Sequence, residues 1–90
     1  MFDDKRPLKA KNLKVLDHLG TLYATFDGSS MWKIDKVAFE LMKMCDGKRN
    51  FDEIVRLVAQ RASLKEEDVK SAIKPIFEEL SNLKFIVWID

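Results

Sequence analysis

Ser30-Met31-Trp32-Lys33-Ile34-Asp35-Lys36-Val37-Ala38-Phe39-Glu40-Leu41-Met42-Lys43-Met44-Cys45-Asp46-Gly47 is the stretch in which the chain changes period. Up to Ile34 the residues are β-branched, aromatic and alternating, as strands require. From Asp35 the apolar positions fall at helical spacing. Asp35 can accept from the first free amides of a helix over residues 36–45. On a helical wheel Val37, Ala38, Leu41, Met42, Met44 and Cys45 cover most of the circumference, which predicts a largely buried helix. Asp46-Gly47 ends it, with Gly47 as the left-handed residue after the last turn.

Working toward the N-terminus, Asp27-Gly28 separates this third strand, Ser30–Ile34, from a second at Thr21–Phe26 (Thr-Leu-Tyr-Ala-Thr-Phe). Asp-Gly between apolar runs is a hairpin signal. Gly20 divides the second run from a first over Leu13–Leu19, giving a three-stranded antiparallel meander. Residues 1–11 are polar and carry Pro7, and read as a flexible arm before a single domain over 12–90. Toward the C-terminus, Asn50 and Glu53 have the spacing of a capping box and open a helix over 51–62. Ser63 and Glu66 repeat that spacing before a third helix to about Leu83. In it Val69, Ile73, Ile76, Phe77, Leu80 and Leu83 share one arc, and Pro75 should kink it. Phe85-Ile86-Val87-Trp88-Ile89 is a final short strand, expected to pair with the meander or with the connection between the helices. The fold class is therefore α+β, of the winged helix-turn-helix kind.

Ninety residues hold one core. With 16 basic and 15 acidic side chains the net charge is +1, which favours neither nucleic acid nor an anionic membrane. No apolar run reaches the ~20 residues of a membrane span. The polar start lacks the apolar segment of a signal peptide, and a lone cysteine suits a reducing compartment, so a cytoplasmic location is expected.

No catalytic constellation assembles. His18 is the one histidine and sits in a strand. Cys45 lies on the buried arc of a helix without a base nearby, and one histidine with one cysteine cannot make a zinc site. Glu66, Glu67 and Asp68 occupy a helix's first turn, where they complement its dipole. No enzyme activity, metal or cofactor is expected. Nucleic-acid binding is the competing reading for such a fold. Against it, the third helix and its entry carry Lys65, Lys70 and Lys74 facing five carboxylates (Glu66, Glu67, Asp68, Glu78, Glu79), a sign that phosphate repels.

From Ile34 onward the chain resembles the PqqD-like family, also called RiPP recognition elements. The resemblance rests on Ile34-Asp35 entering a helix, Ala38 in its first turn, the Asp46-Gly47 exit, then Lys48-Arg49-Asn50-Phe51 and Ile54, and finally Val69, Ile73, Ile76, Phe77, Leu80 and Phe85-Ile86. It departs at Ala72, where the family has an aspartate, and at Lys84, where it has a glycine. The resemblance implies a non-catalytic peptide chaperone. The leader of a ribosomally made precursor peptide would add as a strand to the meander's edge and be presented to a modifying enzyme, often a radical S-adenosylmethionine protein. Mapped onto this chain, the edge is Ser29, Ser30, Met31, Trp32 and Lys33, and the groove helix offers Lys70, Ile73, Lys74 and Phe77. Trp32 and Ile34 are expected to be core. A docking or homodimerisation module using the same edge stays open as an alternative.

Overall fold

A computed structural model describes residues 3–90. Its elements in chain order are β1 (Arg6–Lys9), β2 (Lys14–His18), β3 (Thr21–Thr25), β4 (Trp32–Ile34), α1 (Lys36–Lys43), α2 (Phe51–Ala62), α3 (Glu66–Asn82) and β5 (Ile86–Ile89). β2, β3 and β4 form the expected antiparallel meander, and with three helices and a C-terminal strand the fold is α+β.

The helix starts follow their caps. The Ala38 amide donates to Asp35 Oδ1 at 2.7 Å. Asn50 and Glu53 exchange hydrogen bonds at 2.8 and 2.9 Å, completing a capping box that satisfies two otherwise orphaned donors. The third start differs from the expectation. Ser63 is the left-handed residue that closes α2 (φ 56°), with the Leu64 amide reaching back to the Ala59 carbonyl. The N-cap of α3 is Lys65, which makes no side-chain cap, so the acidic first turn alone complements that terminus. Pro75 lies inside α3, which runs unbroken past it.

The core is one cluster in which Phe51 and Phe77 meet edge to face at 5.1 Å, with Ile54, Met42, Leu80 and Phe85 around them. Cys45 is buried in it and donates to the Leu41 carbonyl. Burial, with the Asp46 carboxylate second, pushes its thiol up to about 12, so it packs as a small apolar group.

Residues 6–9, read from sequence as part of a flexible arm, form β1. β1 pairs antiparallel with β5, Arg6 opposite Ile89 and Lys9 opposite Ile86. β5 thus joins neither the meander nor the helical connection as a strand partner. β1 also meets the segment after α1, because the Lys9 amide donates to the Cys45 carbonyl and the Gly47 amide to the Pro7 carbonyl (3.0 and 2.9 Å). Pro7 lacks an amide, but only its carbonyl is asked to bond there. Met1 and Phe2 of the arm lie outside the described residues.

α1 ends earlier than expected, at Lys43 with Met44 as its C-cap, so Gly47 is not that helix's terminal residue. Gly47 does take the left-handed conformation (φ 76°), and its Cα sits against the β1–β5 pair. A Cβ there would stand 3.3 Å from Ile89 Cδ1 and 3.4 Å from Leu8 Cδ1. Gly47→Val therefore combines left-handed strain with crowding. We expect it to cost about 2 kcal/mol or more. That would appear as a fall in Tm of roughly 10 °C in a circular-dichroism melt.

Candidate functional site

β4 is a three-residue strand with β3 on one side and, among the described residues, no strand on the other. Which of its amides face outward follows from the first hairpin. Leu19 (φ 54°) and Gly20 (φ 87°) form a two-residue turn of the mirror-image type closed by His18 and Thr21. The closing pair exchanges both hydrogen bonds, so alternate residues Thr21, Tyr23 and Thr25 bond toward β2, while Leu22 and Ala24 bond toward β4. Their partners there are Ile34 and Trp32. The amide and carbonyl of Lys33 therefore point away from the sheet.

Beside this edge lies a groove of about 170 Å³ between β4 and α3, with a wall of Trp32, Ile34, Ile76, Leu80, Leu83 and Phe85. Lys33, Asp35 and Glu79 supply its polar rim. Trp32 meets Phe85 edge to face at 6.0 Å, and Phe26 lies tilted against the same ring at 5.7 Å. The indole points to the helical side of the sheet, as expected, yet it is 43% exposed rather than core. Among the described residues no further strand covers it. An exposed aromatic beside free backbone groups can receive both the main chain and a side chain of an extended peptide.

The sequence-derived site residues separate into two groups. Met31, Trp32 and Lys33 lie at the edge, Met31 just before β4. Ser29 and Ser30 precede it in a turn, where both amides donate to Asp27 Oδ1 at 2.8 Å. On α3 the residues named for the groove face elsewhere. Phe77 is wholly buried against Phe51 and Trp88, and Ile73 is buried. Lys70 is bonded to Asp3 at 2.9 Å and to Asp52 of α2 at 3.2 Å. Those hydrogen bonds hold the Lys70 ammonium above its ordinary pKa. Lys74 is half-buried on that flank of α3 and does not line the β4 groove. The groove uses Ile76, Leu80 and Leu83 instead, a stripe at i, i+4 and i+7.

Asp27 fixes the backbone that leads into β4. Hydrogen bonds from the Ser30 and Ser29 amides hold its carboxyl below the usual carboxylate range. The Gly28 amide adds a bond to Thr25 Oγ1 at 2.8 Å. The Asp-Gly-Ser-Ser string, an acceptor followed by three small residues, carried the signal. Because the folded-state pKa is depressed, this anchor is fully present above the unfolded value of ~4 and is lost as pH falls through the lower one. We expect Asp27→Ala to loosen the approach to β4, seen as faster amide hydrogen exchange at Ser29 and Ser30, with little change in helical circular dichroism.

Among the described residues no group of His, Cys, Asp and Glu could hold a metal, and no helix is long and apolar enough to cross a membrane. Neither the curated proteins nor the solved structures gave a match. The family model described as coenzyme PQQ synthesis protein D (PqqD) matches residues 14–86, from the first strand of the meander into β5. The chain belongs to the PqqD family.

Proposed function

We propose that this protein is a peptide chaperone that binds the leader of a ribosomally synthesised precursor by strand addition at β4 and presents it to a modifying enzyme. Family membership supports the coarser statement, a non-catalytic, peptide-binding accessory protein of such a biosynthesis. The observation that carries the finer one is the coincidence of an outward-facing Lys33 backbone with the groove of Trp32, Ile76, Leu80 and Leu83. A leader segment adding antiparallel to β4 would bond to Lys33 and set alternate side chains into that groove. The peptide-contacting set is accordingly Met31, Trp32 and Lys33 with Ile76, Leu80 and Leu83. A radical S-adenosylmethionine enzyme is the proposed partner, on the family resemblance, and the cytoplasm the proposed location, on the polar start and the lone cysteine.

Calorimetry with a precursor peptide encoded beside this gene tests the reading. Full precursor and isolated leader should bind with equal affinity, and the core segment alone should not bind. Equal binding by core and leader would overturn it. A nucleic-acid role is disfavoured further by Lys70, whose charge is already engaged by Asp3 and Asp52. Duplex DNA should bind no tighter than the non-specific range of ~10⁻⁴ to 10⁻⁶ M at physiological salt, read by anisotropy.

A further inference from the structure

A second groove, sharing no lining residue with the first, runs between α1 and α2 and encloses about 660 Å³. Its floor is two helical stripes: Val37, Leu41 and Met44 at i, i+4 and i+7 of α1 and its cap, and Val58 with Ala62 at i and i+4 of α2. Val37 is 57% exposed, a β-branched apolar side chain standing in water at the start of a helix. Four cations (Lys36, Lys43, Arg49 and Arg61) rim this floor against a single carboxylate, Glu40. Glu40 is matched by Lys43 at 3.2 Å, and Arg49 by Asp46 at 3.5 Å. Lys36 and Arg61 make no ion pair among the described residues.

We propose that this groove is a docking site for an acidic amphipathic helix of a partner protein. Two apolar stripes from neighbouring helices that line one groove offer a surface a third helix can pack into, ridge to groove. The cationic rim selects for carboxylates on the flanks of the incoming helix, and such complementarity sets partner choice and association rate. Phosphate would find the cations, but an apolar floor offers a nucleic-acid backbone nothing to bond. The occupant is therefore a protein segment with leucine-like residues on one face and Glu or Asp on the others. The surface leaves the β4 edge free, so the helix and an extended peptide can bind at the same time. This site stands whether or not the peptide is a leader.

A fluorescein-labelled Leu/Glu amphipathic peptide of about 18 residues, long enough to hold a helix, and a Leu/Lys counterpart serve as probes. We expect the acidic probe to bind the whole chain in the micromolar range, at least about tenfold more tightly than the basic one, and less tightly as salt rises. Amide shifts on binding should cluster at Val37, Met44, Val58 and Ala62. The double variant Lys36→Glu/Arg61→Glu, both exposed positions, should lose the acidic probe by about tenfold or more while keeping its melting curve and its affinity for a precursor peptide. Indifference to those substitutions, amide shifts on another surface, or equal binding of both probes would overturn the proposal. So would tighter binding to vesicles of anionic phospholipid than to the probe, or self-association of the chain that the same variant abolishes.

Discussion

If a leader adds as a strand at β4, Lys33→Pro is expected to leave the protein folded but binding that leader more weakly, whereas Trp32→Pro is expected to lose the sheet. The two positions are adjacent, so composition and local propensity cannot separate them. The direction of one amide does. The two-residue turn at Leu19-Gly20 sets the phase of every bond in the meander, so the Trp32 amide is spent on Ala24 and the Lys33 amide is free. Proline is tolerated in a strand where its missing donor would have faced solvent. At Lys33 it removes a donor that a bound strand would use and sets a ring in that strand's path. The loss should be about 1–3 kcal/mol of binding, tenfold or more by calorimetry. Trp32→Pro breaks the β3–β4 ladder and should cost several kcal/mol. Because that substitution also deletes the indole, Trp32→Phe is the control and should keep the fold. Peptide binding by a folded Lys33→Pro at wild-type affinity would refute strand addition at this edge.

Phe77→Ala is expected to cost about 3–5 kcal/mol of stability. A small domain has only about 5–15 kcal/mol in hand. Phe77 is wholly buried, meets Phe51 at 5.1 Å and Trp88 at 6.0 Å, and belongs to the one cluster that α2, α3 and β5 share. The cavity left by its ring would open where three elements meet, so no single neighbour can collapse into it. Urea titration should show an early midpoint, and at low temperature, where the variant is folded, peptide affinity should match wild type. A folded Phe77→Ala that fails to bind peptide would return the residue to the groove. Leu83→Ala, on the groove side and half-exposed, should show the reverse pattern of weaker binding with modest destabilisation.

Local chemistry was the legible part of this sequence. The change of period at Asp35, the Asn50–Glu53 box and the Asp27-Gly28 turn each act within a few residues, and each stands where the residues put it. What escaped depends on partners far along the chain. Arg6–Lys9 is four residues long, half polar and contains a proline, so nothing local marks it as a strand. Its partner is β5, some eighty residues on. On a wheel the apolar positions of the third helix share one arc, but the helix is packed on two sides. Ile73 and Phe77 turn to the core while Ile76 and Leu83 turn to β4, and a wheel drawn from sequence cannot say where one side ends. Trp32 has the chemistry and the side of the sheet of a core residue, yet it is 43% exposed. It is exposed because an edge strand has no neighbour to cover it. Lys84, which departs from the family's glycine, adopts a glycine-like backbone (φ 65°), so strain is accepted at the turn into β5 rather than the turn being rebuilt.

The pairing of β1 with β5 has a kinetic side. The Arg6 guanidinium reaches the carbonyl of Asp90, 84 positions away, so this pair closes a loop that contains nearly all of the described residues. The entropy lost in closing so long a loop is recovered only after closure. The meander and the α2–α3 hairpin, built from near neighbours, can form ahead of it. The clasp should therefore be the last part to form in refolding and the first to open when the protein is pulled from its two ends. Opening it bares Trp88 and one flank of the Phe51–Phe77 pair, so a tug on either terminus loosens the core itself.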